Sequence, residues 1–498
     1  MNRATALLDW AFSSPDRDCI ITATERYSFF EVRAAVISAA CRLGDRVGTG
    51  TRVGLFIDST PNFVVYEYAA FYVGAVVTPI NRAMKADEVR RLVKRLGIEV
   101  VVADTPLDLG DSTFVHLVGP EFDAGDGEFV RPAEVGLDDP ALVLQTSGST
   151  GEPKGVILAV GNLVANYDAT YRWIGVGRTD TILLTLPVFN TYALNQGVNM
   201  MAMSGATMYL MQRFTPEAVA QALETVRPTV MPLVPTMVTR LRQEGVRYNG
   251  PIKVGIAAAP SPTRIAADAW EVFPQAHLYM AYGLTEATAI VSLNHLGTRE
   301  NHHKDFSSTG PIVSGVEVRI AQSGEVGDER GEILVRGESV LRGYVGTDEP
   351  IPVEDGWLHT GDVGVLDDGR LTIVDRIRDL IIRGGQNIYP GEVELAITSH
   401  PDVLEAAVVG RHDDDLGEIP VAYVVARRGT NPHPDILRAW VSERLAAFKV
   451  PTAVHMVHDL PKTPTGKIRR SALAEALAGT GNEQMNDHAG RNGLGERP

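Results

Sequence analysis

Several short segments carry residue types whose spacing suits phosphate and carboxylate chemistry. The first, QTSGSTGEPKGV (Gln145 to Val156), follows the apolar run ALVL and sets three glycines among hydroxyl-bearing residues and one lysine. Glycines let backbone N–H groups approach anionic oxygens, while Ser147, Ser149, Thr150 and Lys154 add donors and one positive charge. The spacing differs from GxxxxGK[ST], because Lys154 follows Pro153 and precedes Gly155, which disfavours a P-loop NTPase. Further along, YGLTEAT (Tyr282 to Thr288) offers an aromatic face at Tyr282, a glycine at Gly283, a hydroxyl at Thr285 and a carboxylate at Glu286. Such a set can stack a nucleobase, bond a phosphate and hold magnesium, although a plain strand-to-helix turn explains it better when it is taken alone.

Three more segments complete the set. GWLHTGDVG (Gly356 to Gly364) places Asp362 in a glycine-flanked turn, where a carboxylate can accept bonds from both ribose hydroxyls or simply cap the turn. DRIRDLIIRGGQNIYPGEVE (Asp375 to Glu394) concentrates charge and a glycine pair at a predicted domain boundary. PKTPTGKIRR presents the Lys467 ammonium on a loop punctuated by Pro and Gly, which in isolation reads as a solvated basic loop.

The elements that must position these residues alternate in type. Strand patterns at Arg52 to Asp58, Ala75 to Asn81 and Ile98 to Asp104 are separated by an apolar helical stretch near Tyr66 to Val73 and by the helix Ala86 to Leu96, which has acids in its first turn. A comparable stretch begins near Asn162, with strands at Thr181 to Val188 and Pro228 to Val234. This alternation predicts a layered α/β domain. From about Gly310 short alternating runs such as Val316 to Ala321 and Gly331 to Gly337 predict a small antiparallel sheet or barrel. After Asp375 mixed helices and strands return over enough chain for a separate small domain, and the last twenty residues hold almost nothing to bury and are expected to be disordered.

In this order and across this length, from about Arg52 to Leu477, the five segments resemble the adenylate-forming superfamily of acyl-CoA synthetases, nonribosomal-peptide adenylation domains and luciferases. The resemblance implies an α/β fold: an N-terminal domain over residues 1–375, built of layered α/β subdomains plus a small β-barrel, then a small mobile α+β C-terminal domain over 376–478, then a tail over 479–498. It implies ATP and magnesium as requirements, and coenzyme A or a carrier protein's phosphopantetheine as the thiol. The phosphate loop would take the β- and γ-phosphates through Thr146, Ser147, Gly148, Ser149, Thr150, Gly151 and Lys154. Tyr282 would stack on adenine beside Gly283, Thr285 would meet the α-phosphate, Glu286 would bind magnesium, and Asp362 with Arg376 would hold the ribose. Ala258 and Ala259 stand where the family usually has a Gly pair lining adenine and acid, which leaves less room. Lys467 would stabilise the charge that grows as pyrophosphate leaves. Arg378 occupies the hinge position, at about 376–379, where Asp or Lys is more usual, and Gly384, Gly385 and Lys449 would lie on the thiol side after the small domain rotates.

For the acid, Asn190 follows LPVF where fatty-acid members often have His and amino-acid members place Asp nearby. A neutral amide cannot pair with a substrate ammonium, which disfavours an α-amino acid and leaves fatty, aryl or hydroxylated acids. Asn190, Tyr192, Val234, Ala281 and Thr288 are the candidate acyl-pocket residues; Asn190 also suits a plain turn. Coenzyme A is the favoured acceptor, from the PTMVTRL and FKVP surroundings at Pro235 and Lys449. The rivals are a stand-alone adenylation enzyme that loads a carrier protein and a non-catalytic acyl or nucleotide binder.

Composition bounds the rest. The 498 residues suggest about three compact units, and 44% hydrophobic with 22% charged residues is ordinary for a soluble globular protein. No window approaches an apolar membrane helix, and the N-terminus lacks a secretory pattern, so cytoplasm is the expected location. A formal net charge of −16 without a long basic run argues against nucleic acid. Cys19 and Cys41 are too few for a disulfide framework and read as packing residues, and adjacent His302 and His303 read as a polar loop. Whether the chain works as a monomer or a homodimer is left open.

Overall fold

The computed structural model of the protein describes residues 3–110, 114–118, 122, 131–147, 153–257, 264–302, 306, 308–322, 329–462 and 468–479. Within these, the chain divides into two compact units: Met1–Thr360 with Gly364–Ile373, and Gly361–Val363 with Val374–Pro498. The division falls two residues before the expected boundary at Asp375, and a three-residue piece around Asp362 groups with the second unit.

The first unit is built on two large mixed sheets. One runs Ser292–Gly297, Ala276–Tyr282, Ile252–Ile256, Val230–Leu233, Thr181–Leu184, Thr207–Leu210, Asp18–Ile21, Arg26–Ser28, with the inner six strands parallel and both edge strands antiparallel. The other runs Gly343–Val345, Pro153–Ala159, Pro140–Ser147, Val76–Pro79, Arg52–Phe56, Val100–Ala103, Phe114–Leu117. Its last five strands are parallel, whereas Pro153–Ala159 and Gly343–Val345 add antiparallel at one edge. Parallel strands covered on both faces must be apolar throughout, which is why Val76–Pro79 and Val100–Ala103 are wholly buried. A third, six-stranded sheet takes the short runs after Gly310, with Val316–Gln322 paired to Gly331–Gly337 as the alternation predicts.

Expected elements form with trimmed ends. The helix Ala86–Leu96 matches its expected span: the Lys85 amide donates to Glu88 at 2.8 Å and Gly97 closes the last turn in the left-handed region. The apolar stretch near Tyr66 becomes the helix Pro61–Tyr72, with proline in its first turn and every residue from Phe63 to Tyr72 buried. A helix without a polar face must lie inside the core, and this one carries Glu67 in with it. The strands expected at Thr181 to Val188 and Pro228 to Val234 shorten to Thr181–Leu184 and Val230–Leu233, freeing the following residues for the site.

In the second unit, a long hairpin of Val403–Asp413 against Gly417–Ala426 is flanked by Ile381–Arg383, Gln386–Ile388 and Ala453–Val457. The helix Pro390–Thr398 buries Val393, Ala396 and Ile397 against this sheet. No helix among the described residues is long and apolar enough to cross a membrane.

Candidate active site

The strand Pro140–Ser147 climbs from the sheet and Pro153–Ala159 returns antiparallel, so that Thr146 and Lys154 stand opposite one another. This is the carboxyl end of the parallel strands, where open α/β sheets bind ligands. Gly148, Ser149, Thr150 and Gly151 lie outside the described residues, as does the side chain of Ser147. Thr146 Oγ1 is buried without a hydrogen-bond partner among the described residues. A buried hydroxyl in that state is a site for an incoming acceptor.

Lys154 is 14% exposed, its Nζ bonded to Glu349 Oε2 at 2.9 Å and standing 3.8 Å over the centre of the Tyr344 ring. Tyr344 sits on the edge strand Gly343–Val345, which pairs with residues 155–157 and so fixes the ring beneath the lysine. Its hydroxyl reaches Glu286 Oε1 at 3.5 Å, and Leu341 N–H bonds the Glu286 carbonyl at 2.8 Å. Burial and the neighbouring Glu286 carboxylate push the Tyr344 phenol well above its ordinary range, so it stays protonated and donates. Beside Glu286, the Thr285 and Thr191 hydroxyls bond each other at 2.9 Å. The expected pair Lys154 and Glu286 is therefore bridged by Tyr344, which the sequence reading missed together with Glu349 and Thr191. Their signal was faint, an aromatic and an acid in LRGYVGTDE with no charge pattern of their own.

Glu286 fits a magnesium ion. A single carboxylate oxygen in a long contact keeps capacity for a hard cation, and magnesium is held by one or two carboxylates plus substrate phosphates. No group of three or more His, Cys, Asp or Glu among the described residues is arranged to hold a metal.

Tyr282 ends its strand with its carbonyl accepting from Val291 N–H. Gly283 is compulsory, since a Cβ there would lie 1.3 Å from the Ala289 carbonyl oxygen. Ala258 and Ala259 fall outside the described residues.

The acyl candidates separate. Tyr192 lines a small cavity of about 20 Å³ together with Ile174, Gln196, Met200, Gly255 and Tyr279. Its hydroxyl would lie 3.0 Å from a Cβ on Gly255, so the missing side chain there makes room for the ring. Gln196 comes from a π-helical turn, Leu194–Asn199, a geometry often found at functional sites; its Nε2 donates to Thr170 Oγ1 at 3.4 Å. Asn190 caps the short helix beginning at Thr191 by its backbone alone. Val234 is buried in the main core and Ala281 packs in a satellite cluster opposite Leu293, so neither lines this cavity. Thr288 corrects the expectation most clearly: it is fully buried at φ 57°, and its hydroxyl bonds the Ser339 carbonyl at 2.5 Å. It braces the turn that carries Glu286. Gln196 and Tyr279, which the sequence reading passed over, line the cavity instead.

Within the second unit, Arg376 Nε donates to Asp362 Oδ1 at 3.0 Å, so the expected ribose pair is already joined. Asp375 caps the following chain by accepting from Arg376 N–H at 2.8 Å and Gly391 N–H at 2.6 Å, and burial raises its pKa. Arg378 is 58% exposed in a short turn and lies 3.7 Å from Asp379. Asp379 shares Arg470 with Glu394, whose own pKa burial raises. Gly384 and Gly385 make a left-handed hairpin turn at φ 55° and 81°. Lys449 Nζ bonds both Glu392 oxygens at 2.8 and 2.7 Å, leaving it 13% exposed, which makes it a brace inside this unit. Lys467 lies outside the described residues.

Comparison with known proteins agrees with this chemistry. Residues 7–345 match the family model described as AMP-binding enzyme, and residues 392–467 match the AMP-binding enzyme C-terminal domain. A 2–succinylbenzoate–CoA ligase of Bacillus cytotoxicus is 31% identical over 95% of this chain and 98% of its own length. A feruloyl-CoA synthase of an Amycolatopsis species is 34% identical over 86% and 89%. The o-succinylbenzoate coenzyme A synthetase of Bacillus subtilis, solved with ATP and a magnesium ion, matches with a TM-score of 0.83 at 27% identity, covering 95% of this chain and 99% of that one. With a large α/β unit, a small second unit and this pattern of relatives, the chain belongs to the AMP-binding enzyme family, as an ATP- and magnesium-dependent acid–thiol ligase of the acyl-CoA ligase kind.

Proposed function

We propose that the enzyme activates a non-amino carboxylic acid of the aryl class and passes it to coenzyme A. The observation that carries the acid class is the cavity beside Tyr192. It is walled by Ile174, Val176, Met200 and Val230 with Tyr192, Gln196 and Tyr279 among them, an apolar lining with a few polar groups that suits the uncharged body of an organic acid. Lys253, a cation at its wall, has its Nζ on the Gly175 carbonyl at 2.8 Å and 3.6 Å from Asp180, and among the described residues no carboxylate lines the cavity to receive a substrate ammonium. The relatives that act on succinylbenzoate and make feruloyl-CoA favour the same acid class and favour coenzyme A over a carrier protein. Work in the cytoplasm, where both co-substrates are available, goes with this reading.

In the first half-reaction the acid's carboxylate oxygen attacks the α-phosphorus of ATP, a P–O bond to the β-phosphate breaks, and pyrophosphate departs. Thr146 and Lys154 meet the β- and γ-phosphates, Thr285 meets the α-phosphate and Tyr282 stacks on adenine. Asp362 and Arg376 hold the ribose, and Lys467 neutralises the developing charge. Magnesium held at Glu286 supplies further charge neutralisation on the phosphates. In the second half-reaction the thiol sulfur attacks the acyl carbon and AMP leaves, after a rotation of the small domain about the chain near Arg378.

Pyrophosphate release across fatty, aryl, hydroxy and β-amino acids tests the acid class, with coenzyme A and a holo-carrier protein offered side by side. An aryl acid with coenzyme A is expected to turn over fastest; a long-chain acid or a carrier protein leading the panel refutes the reading. Removing one preorganised donor typically costs about 10²–10³ in rate, so Lys467→Ala should nearly abolish acid-dependent ATP–pyrophosphate exchange. Unchanged exchange rules Lys467 out.

A further inference from the structure

An ammonium only 14% exposed needs compensation, and among the described residues Lys154 has two sources of it: the Glu349 carboxylate and the Tyr344 ring face. The two differ in how firmly they are held. Tyr344 lies on a strand clamped to residues 155–157, and the close fit admits no side chain at Gly155, where a Cβ would sit 2.5 Å from Val143 and 2.7 Å from Val345. Gly346 closes the strand at φ 76°, its carbonyl held by Arg95 Nε at 2.6 Å. Glu349 lies beyond that anchor, in a turn where its N–H bonds Thr347 Oγ1 at 3.1 Å, outside any helix or strand. One partner is a ring on a paired strand and the other a carboxylate on a segment outside any helix or strand.

We propose that Glu349 and Tyr344 are positioning residues that form a clasp on Lys154: Glu349 is the resting counter-anion that the nucleotide's phosphates displace, while Tyr344 holds the ammonium in place and orients Glu286 through its hydroxyl. This rests on the reading that Lys154 meets the phosphates and Glu286 the magnesium. Three anionic groups cannot share one ammonium at close range without mutual repulsion, so entry of the triphosphate expels the Glu349 carboxylate. Glu349 thus sets the nucleotide's apparent affinity without touching the reacting atoms. Tyr344 stands between two charged neighbours, presenting its π-face to the cation and its O–H to the carboxylate.

The test is steady-state kinetics of the full chain with varied ATP and varied magnesium, using Glu349→Gln, Tyr344→Phe, Tyr344→Leu and Lys154→Ala, with thermal melting as the folding control. Glu349→Gln keeps the shape and removes the charge; a charge-assisted bond of this kind is expected to be worth roughly a three- to tenfold fall in KM for ATP, with kcat unchanged. A KM that stays or rises overturns the clasp. Tyr344→Leu should raise KM for ATP and the magnesium concentration at half-maximal rate. Tyr344→Phe should restore the ATP value, because the ring returns, but not the magnesium value, because the hydroxyl does not. If both Tyr344 variants match wild type in both readouts, the ring is only filler and its part of the proposal is wrong. Lys154→Ala separates the layers: if it leaves KM for ATP unaltered, the underlying phosphate reading has failed; if it raises KM while Glu349→Gln has no effect, only the clasp has.

Discussion

Replacing Gly283 by alanine should cripple the enzyme although it adds one carbon atom. A Cβ at this position would lie 1.3 Å from the Ala289 carbonyl oxygen and 2.4 Å from its carbon. Real Cβ contacts essentially never fall under 3.0 Å, so one strand of backbone must move by 3.0 − 1.3 = 1.7 Å. The neighbourhood has little freedom to do so: Ala289 N–H is bonded to the Leu284 carbonyl at 3.1 Å and Val291 N–H to the Tyr282 carbonyl at 2.9 Å, while Ala289 already sits at φ 102°. Thr285 and Glu286 begin two residues after Gly283, so the shift passes to the proposed phosphate and magnesium groups. Misplacement by about 1 Å is enough to cost ~10² in rate, and overpacking of this kind costs about 1–3 kcal/mol in stability. The assay is ATP–pyrophosphate exchange with the best acid of the panel, alongside thermal melting. A variant with exchange within threefold of wild type and an unshifted melt would refute the claim that this turn holds the site.

Three further outcomes follow from particular contacts. Thr288→Val keeps the shape at φ 57° but orphans the buried Ser339 carbonyl, which should destabilise the protein by about 1–3 kcal/mol, read as a lower denaturant midpoint; an unchanged midpoint would return Thr288 to candidacy as a pocket residue. Tyr192→Phe empties a hydroxyl from the cavity beside Gln196, and should lower kcat/KM more for an aryl acid with a distal hydroxyl than for its unsubstituted analogue; equal losses would place the hydroxyl away from the substrate. Glu67 lies fully buried with neither carboxylate oxygen hydrogen-bonded among the described residues, and burial raises its pKa from 4.5 to about 8 despite Arg3. Because the folded state binds this proton more tightly than the unfolded chain, its stabilisation is complete below about pH 4.5 and is lost as pH rises through about 8. Melting temperature should accordingly fall from pH 6 to pH 9 more steeply in wild type than in Glu67→Leu, and parallel curves would show that Glu67 does not titrate in this window.

Much of the molecule was legible in the residues alone. The alternation between Arg52 and Asp104 marks parallel strands and helices because strands buried on both faces must be apolar and helices must cap their ends; Glu88, Gly97 and the apolar Phe63 to Tyr72 run announce those rules locally. The stretch from Gln145 to Val156 suggested phosphate chemistry for a similar reason, since glycines, hydroxyls and a lysine are properties of one short stretch. Such signals are local, and local sequence records them directly.

What remained hidden depends on residues far apart in the chain meeting in space. Lys154 and Glu349 are separated by 195 positions, and Glu286 and Tyr344 by 58; no spacing rule links an exposed-looking acid in a turn to a lysine in another strand. Thr288 reads as a pocket hydroxyl beside Glu286, yet a left-handed backbone turns it toward Ser339, while Gln196, between Asn195 and Gly197 with no motif around it, is carried to the cavity by a π-helical turn. The residue types by themselves decided which chemistry the chain could attempt, because donors, carboxylates and glycines are properties of single positions. Tertiary structure alone decided which of them face one another, because strand order and backbone handedness set the direction of every side chain.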